Sequence, residues 1–360
     1  MNPYLSIVAA SRNDDHGGNL LHRMQIFIET LLSGCDMYDI DAELVLVEWN
    51  PPDDRPRLVE SLRWPSSKRC AVRILEVSKH QHDRFGSALP LHQMIAKNVG
   101  IRRAKGQFVV ATNIDVLFSE ELFRHIARRT LDPNRFYRAD RHDVPADISA
   151  GQPLAEQMGF CRTNVLRVHR CDGTYDMRTG RFDRIFRPTW QLVLAAAALP
   201  LMVTPSARAR AVNARKSLAF IRAFGRLHTN ASGDFTMMSR ERWHELSGYW
   251  EFPGFPAYID GLLCHAAHFA GVEEEILPSS ARVYHIEHGH GSGYGEYKRS
   301  EFWEGMHAVG IPRITQEQYE GTLSELKAGR GPAGLSREQW GLAGEDLKSR
   351  SPSPAAEVRA

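Results

Sequence analysis

At 360 residues with 42% hydrophobic and 24% charged side chains, the chain reads as an ordinary globular protein, with enough apolar mass for one large core or two unequal ones. A net charge of +2 excludes a global electrostatic argument for nucleic acid or an acidic partner, so any recognition by charge must be local. The five cysteines (Cys35, Cys70, Cys161, Cys171 and Cys264) form no Cys-x-x-Cys pair, which excludes paired-cysteine zinc and redox motifs and points to a reduced, cytoplasmic setting.

The opening residues lack a basic segment and run straight into a strand pattern, Leu5 to Ala9, so no signal peptide is expected. A polar, glycine-containing loop, Ala10 to Gly18, leads into a helix whose apolar positions Leu20, Leu21, Met24, Phe27, Ile28, Leu31 and Leu32 recur with a helical period. Gly34 is its expected stop. Glu43 to Glu48 and Val72 to Val77 read as two further strands, the first broken by Trp49-Asn50-Pro51-Pro52. From Leu91 the pattern predicts a helix stopped at Gly106. A buried strand, Phe108 to Thr112, then delivers Asn113 and Asp115 to the end of a sheet, where open α/β folds bind ligands. Ser119 can cap the helix after it. Strand alternating with helix up to residue 118 argues for a mostly parallel, doubly wound sheet of nucleotide-binding type.

Beyond residue 130 the periodicity weakens. Arg135 to Pro145 reads as a strand entering an irregular region, and Trp190 to Val203 is apolar but shorter than the roughly 20 residues that span a bilayer. Arg208, Arg210, Arg215, Lys216, Arg222 and Arg226 follow it. A packing helix beside an exposed basic loop is one reading of this segment; peripheral contact with an anionic membrane or a lipid-linked substrate is the other. Order returns with a strand through Phe235 to Ser239, a helix Arg240 to Leu246, a turn Gly248 to Glu251, and a helix opened by Asp260 and ended by Gly271. A last strand, Ala281 to Ile286, runs into His285, His288 and His290, and the tail after Gly310 reads as helical to disordered.

Alternation about Ile114 sends Asn113 and Asp115 to one side, so one could face a nucleotide and the other a divalent cation. His285 and Glu287 share one strand face while His288 lies on the other, so these histidines bind one cation together only if the strand ends before His288. Imidazole beside carboxylate and diphosphate oxygens suits Mn²⁺ better than Mg²⁺. A capping role for the aspartates and a histidine-rich surface loop are the plain structural alternatives.

The stretch Lys97-Asn98-Val-Gly100-Ile-Arg-Arg-Ala104-Lys-Gly106-Gln-Phe-Val-Val-Ala-Thr-Asn113-Ile-Asp115 resembles the GT-A-type glycosyltransferases, in particular the family that includes the cellulose, chitin and hyaluronan synthases. That family carries an Arg-Asn-x-Gly helix, an Ala-x-Gly turn, an apolar strand and an Asp-x-Asp motif. Lys97 here replaces the common Arg and Asn113 the first Asp, while Asp115 matches the Asp that holds a cation on the donor diphosphate. The resemblance implies an α/β, Rossmann-like doubly wound mixed sheet. Its donor half covers about 1–125, its acceptor half 126–310 with an insertion at 165–228, and a tail 311–360 follows. It implies donor contacts from Ser11, Arg12, Asn13, Glu48, Lys97, Asn98 and Asn113, and acceptor contacts from Gly233, Asp234, Phe235 and Glu251. Asp260 stands where inverting members place the general base, with Ile259 in place of the usual Glu, and His285 or His288 stands where many such enzymes add a metal ligand.

The implied reaction is a metal-dependent sugar transfer from a nucleotide sugar, a UDP-sugar before others, to a glycan or lipid-linked acceptor, as in polysaccharide biosynthesis. Glu48 beside Trp49, where the family has Asp against the base, leaves another nucleotide open. The glycines before Tyr294 suggest a lid over the donor. Two alternatives stand beside this reading: a catalytically silent glycan-binding or scaffolding relative, and a sugar-phosphate nucleotidyltransferase, whose glycine-rich loop Ala10 to Gly18 does not match.

Overall fold

Near-continuous apolar runs, which need cover on both faces, become the central strands of a computed structural model that describes residues 2–86, 88–185, 191, 193–194, 197, 204–288, 299–331 and 337–353. In chain order these are β1 (Leu5–Ser11), α1 (Leu20–Met37), β2 (Ala42–Trp49), α2 (Leu58–Ser61), β3 (Cys70–Val77), α3 (Lys79–Asp83), α4 (Gln93–Arg103), β4 (Phe108–Thr112), β5 (Val116–Phe118) and α5 (Glu120–Ala127). The second half adds β6 (Arg135–Arg138), β7 (Arg141–Val144), α6 (Leu154–Thr163), β8 (Arg167–Arg170), β9 (Gly173–Asp176), β10 (Phe182–Arg184) and α7 (Pro205–Phe224). It closes with β11 (Phe235–Ser239), α8 (Arg240–Leu246), α9 (Ile259–Phe269), β12 (Glu273–Ile276), β13 (Val283–Ile286), α10 (Arg299–Ala308), α11 (Gln316–Lys327) and β14 (Lys348–Arg350).

The fold is mixed α/β with two mixed sheets, compatible with a Rossmann-like arrangement. The larger sheet has the order β12-β6-β11-β4-β1-β2-β3-β14. Its centre, β4-β1-β2-β3, is parallel, but β11 and β14 run antiparallel to their neighbours, so the expected mostly parallel sheet holds only in the middle. The chain winds outward from β1 through β2 to β3, then returns through α4 to place β4 on the other side of β1. That reversal is the switch point at which such sheets leave a crevice. Alternate residues serve opposite faces: Ile7, Ala9, Leu44 and Leu46 pack with α1, while Val8, Ala10, Val45 and Val47 pack with α4 and α9.

Three expectations change. Gly34 does not stop α1, which continues to Met37; it lies inside the helix, where a Cβ would come 2.3 Å from the Phe123 ring. Arg135 to Val144 is two strands rather than one entering an irregular region, and Ala139–Asp140 carry the chain from the larger sheet into the smaller. The tail also belongs to the fold, because β14 pairs with β3 and Trp340, Leu342 and Leu347 are buried; residues 354–360 lie outside the described residues.

The smaller sheet, ordered β10-β9-β8-β7-β13-β5, builds the site. In its register His285 on β13 stands opposite Val116 on β5 and Asp143 on β7. The region read as an insertion supplies β8 to β10 and α7. No helix among the described residues is long and apolar enough to cross a membrane. Most of Trp190 to Val203 lies outside them.

Candidate active site

The chain leaves β4 at Thr112 and turns through Asn113-Ile114-Asp115 into β5, and Ile286 N–H donates to the Asp115 carbonyl at 2.9 Å. This tie sets the Asp115 side chain beside the end of β13. Its Oδ2 lies 3.3 Å from His288 Nε2, 4.0 Å from His285 Nε2 and 3.2 Å from Arg23 Nη1. One ligand atom each from Asp115, His285 and His288 falls within 4.8 Å of the others. Burial pushes the Asp115 carboxyl up, but His288, His285 and Arg23 together outweigh it and hold the group well below the usual carboxylate range. β13 ends at Ile286, and that lets His288 turn back toward the face of His285. One ionised carboxylate and two imidazoles at this spacing are a donor set that fits Mn²⁺ or another first-row divalent ion.

Behind this group lies a buried ionic network that sequence reasoning missed. Asp143 takes hydrogen bonds from Arg141 Nε at 2.7 Å, Arg167 Nε at 2.7 Å and His169 Nε2 at 2.9 Å. His285 Nδ1 stands 3.3 Å from Asp143 Oδ1, so this imidazole sits between two carboxylates, an arrangement that fixes ring orientation at metal sites. Arg141 continues to Asp234 at 2.6 Å, and Asn113 Nδ2 donates to the other oxygen of Asp234 at 2.6 Å. The signals available were Arg23 interrupting an apolar helix face and the Arg141-His-Asp143 alternation, but nothing local says which charges will meet.

Asp260 opens α9 after Tyr258, whose backbone is left-handed with φ 72°. Its Oδ2 accepts from Gly233 N–H at 2.7 Å and its Oδ1 from Gly261 N–H at 2.9 Å, and the residue is half-buried. Lys97 Nζ donates to the Gly233 carbonyl at 2.7 Å. Burial drops that amine to about 8 against the attraction of Asp234, Asp260 and Asp115. The Gly233 peptide is therefore held from both sides.

Neither a protein-family model nor a curated protein matches the sequence.

The remaining residues expected in the site divide by what they touch. Arg12, at the crevice end of β1, donates to Asn50 O at 2.6 Å and pairs with Asp14 at 3.0 Å. Ser11 bonds to Met24 Sδ, and Asn13 is buried against Pro56 O and Ser61. Asn113 is half-buried and accepts from Gln93 at 2.9 Å. Glu48 is buried and accepts from Leu58 N–H at 2.8 Å, which takes up an oxygen expected to meet the donor. Asn98 is not available for the donor contact expected of it. It is fully buried and bonds Tyr249 O, Tyr249 N–H and Glu251 Oε1, so it clamps the Gly248–Glu251 turn. Glu251 accepts from Gly341 N–H as well, a structural tie in place of the expected acceptor contact. Phe235 is likewise corrected: its ring is fully buried edge-on to Phe118 in the core, which leaves it no surface for the expected acceptor contact. Gly100 has a packing reason of its own, since a Cβ there would come 2.5 Å from Val8. His290 and the proposed lid at Ser292 to Tyr294 lie outside the described residues.

A separate groove of about 410 Å³ between α8, α9 and α11, lined by Leu246, Trp250, Leu262, Ala266 and Leu326, shares no residue with the Asp115 group.

Proposed function

We propose that this chain is a metal-dependent glycosyltransferase of GT-A type, moving a sugar from a nucleotide sugar to a hydroxyl acceptor with inversion. The observation that carries the reading is the convergence of Asp115, which follows β4, with His285 and His288 from the end of β13, two distant parts of the chain. Asp115 and the two imidazoles would hold the divalent cation, Mn²⁺ before Mg²⁺. Bound there, it would neutralise the charge that develops on the leaving diphosphate. Arg12 and Asn13, at the end of β1, would line the nucleoside side.

Asp260 would act as the base. Each of its oxygens already takes one backbone N–H, which orients the carboxylate and leaves a lone pair for the acceptor hydroxyl. The Lys97–Gly233–Asp260 chain would keep it in place. α7 has no acidic residue and carries Arg208, Arg210, Arg215, Lys216 and Arg222, which supports peripheral contact with an anionic membrane or lipid-linked acceptor. The catalytically silent reading has its own support in Asn113: the first carboxylate of the motif is missing, and its replacement is engaged by Gln93 and Asp234.

A panel of nucleotide sugars assayed with Mn²⁺ for nucleoside diphosphate release separates the two. The transferase reading expects release with at least one donor, abolished in Asp115→Ala, and transfer reduced by about a hundredfold or more in a folded Asp260→Asn. Release from no donor favours the silent relative, and near wild-type transfer by Asp260→Asn removes the base assignment.

A further inference from the structure

Arg23 is 1% exposed, on a helix whose neighbouring residues Leu20, Met24 and Phe27 are locked in the core. Its Nη1 meets Asp115 Oδ2 at 3.2 Å, its Nη2 donates to His16 O at 2.5 Å, and its Nε has no hydrogen-bond partner among the described residues. Oδ2 is also the oxygen that both imidazoles approach, hence the one a cation shared with them would use. The guanidinium is charged at every accessible pH. The loop above it is tight: a Cβ on Gly17 would come 2.5 Å from His288 Nδ1 and 3.3 Å from Arg23 Nη2.

We propose that Arg23 is a built-in counter-cation of Asp115, which neutralises the carboxylate in the metal-free protein and sets a low intrinsic affinity for the divalent ion by sharing its oxygen. The proposal rests on the reading of Asp115, His285 and His288 as a cation site. A motif with two carboxylates would bring two negative charges to the ion. Here Asn113 removes one, and Arg23 offsets the other at contact distance. The deficit has a chemical remedy, because a nucleoside diphosphate brings its own negative charge. Arg23 thereby couples the two ligands: the ion binds weakly alone and tightly with a diphosphate, whose negative charge offsets the guanidinium. Arg23 is thus a positioning residue that tunes the site through Asp115.

The test is the dissociation constant for Mn²⁺ alone, from the free-ion electron paramagnetic resonance signal, in the wild type, Arg23→Gln and Arg23→Lys. Arg23→Gln should bind Mn²⁺ about tenfold more tightly or better, and Arg23→Lys, which keeps the charge, should stay within about threefold of wild type. Loss of a merely structural arginine would weaken the site, so unchanged or weaker binding by a folded Arg23→Gln overturns the proposal. If that variant does not fold, arginine-selective ¹⁵N spectra of the wild type titrated with Mg²⁺ decide. A shift of the guanidinium resonance missing in Arg23→Lys is expected, and Mg²⁺ binding that leaves it unmoved refutes the role. Binding of Mn²⁺ by none of the three proteins instead removes the cation site itself.

Discussion

Glu48 offers a quantitative test of how the crevice end of β2 is built. It is 1% exposed, and burial lifts its carboxyl from 4.5 to about 7; the Leu58 N–H and Arg57 oppose the rise and Glu76 adds to it. A carboxyl raised in the fold favours the protonated state. Its contribution is fully present below the unfolded value and is lost as pH climbs through the folded one, so the window is 4.5 to about 7. At about 1.36 kcal/mol for each pH unit between those values, ionising Glu48 costs the fold about 3 kcal/mol. Glu48→Gln keeps an oxygen for the Leu58 N–H and cannot ionise. Urea denaturation followed by tryptophan fluorescence should find the variant and wild type within about 1 kcal/mol near pH 5. The variant should be ahead by up to about 3 kcal/mol near pH 8.5. A gap that does not change with pH, or one that widens toward acid, would refute the reasoning.

Two further substitutions probe the packing that carries the site. Asn98→Ala strands the buried Tyr249 N–H and Tyr249 carbonyl, while Glu251 Oε1 keeps the Gly341 N–H, so it should cost about 2–5 kcal/mol; a loss below about 1 kcal/mol in the same denaturation assay would mean that the turn is held by other contacts. Gly34→Ala gains about 1 kcal/mol of helix propensity but drives a methyl into the Phe123 ring, so it should lose about 1–3 kcal/mol net, with recovery in the Gly34→Ala, Phe123→Leu double variant. A single variant more stable than wild type would show that the ring gives way freely.

What could be read from the residues in order was local. The strand Phe108–Thr112 and the helix Arg240–Leu246 have the ends that side-chain periodicity and capping predict, because both are set within a few residues. The same holds for Asp260 in the first turn of its helix and for the β-α alternation of the first half. Motif likeness also singled out Asp115, His285 and His288, but not their company. Lys97 and Asn98, adjacent in one motif, go different ways in the fold: one holds the Gly233 peptide and the other the Gly248–Glu251 turn. Asn98 has the side chain of a surface contact and the burial of a core residue, whereas Phe235 is buried as its apolar ring favours, against the contact its motif suggested.

Tertiary structure alone decided the rest. Arg23 and Asp115 are 92 residues apart and meet only because α1 packs against β5, which Asp115 precedes. Arg138 and Arg141 are close in sequence but belong to different sheets, since the chain changes layer at Ala139–Asp140. The physical reason is common to all of these. Hydrogen-bond periodicity and capping act over one or two turns and leave their mark in neighbouring residues, whereas a buried charge must find its counter-charge wherever the packing of distant elements brings one.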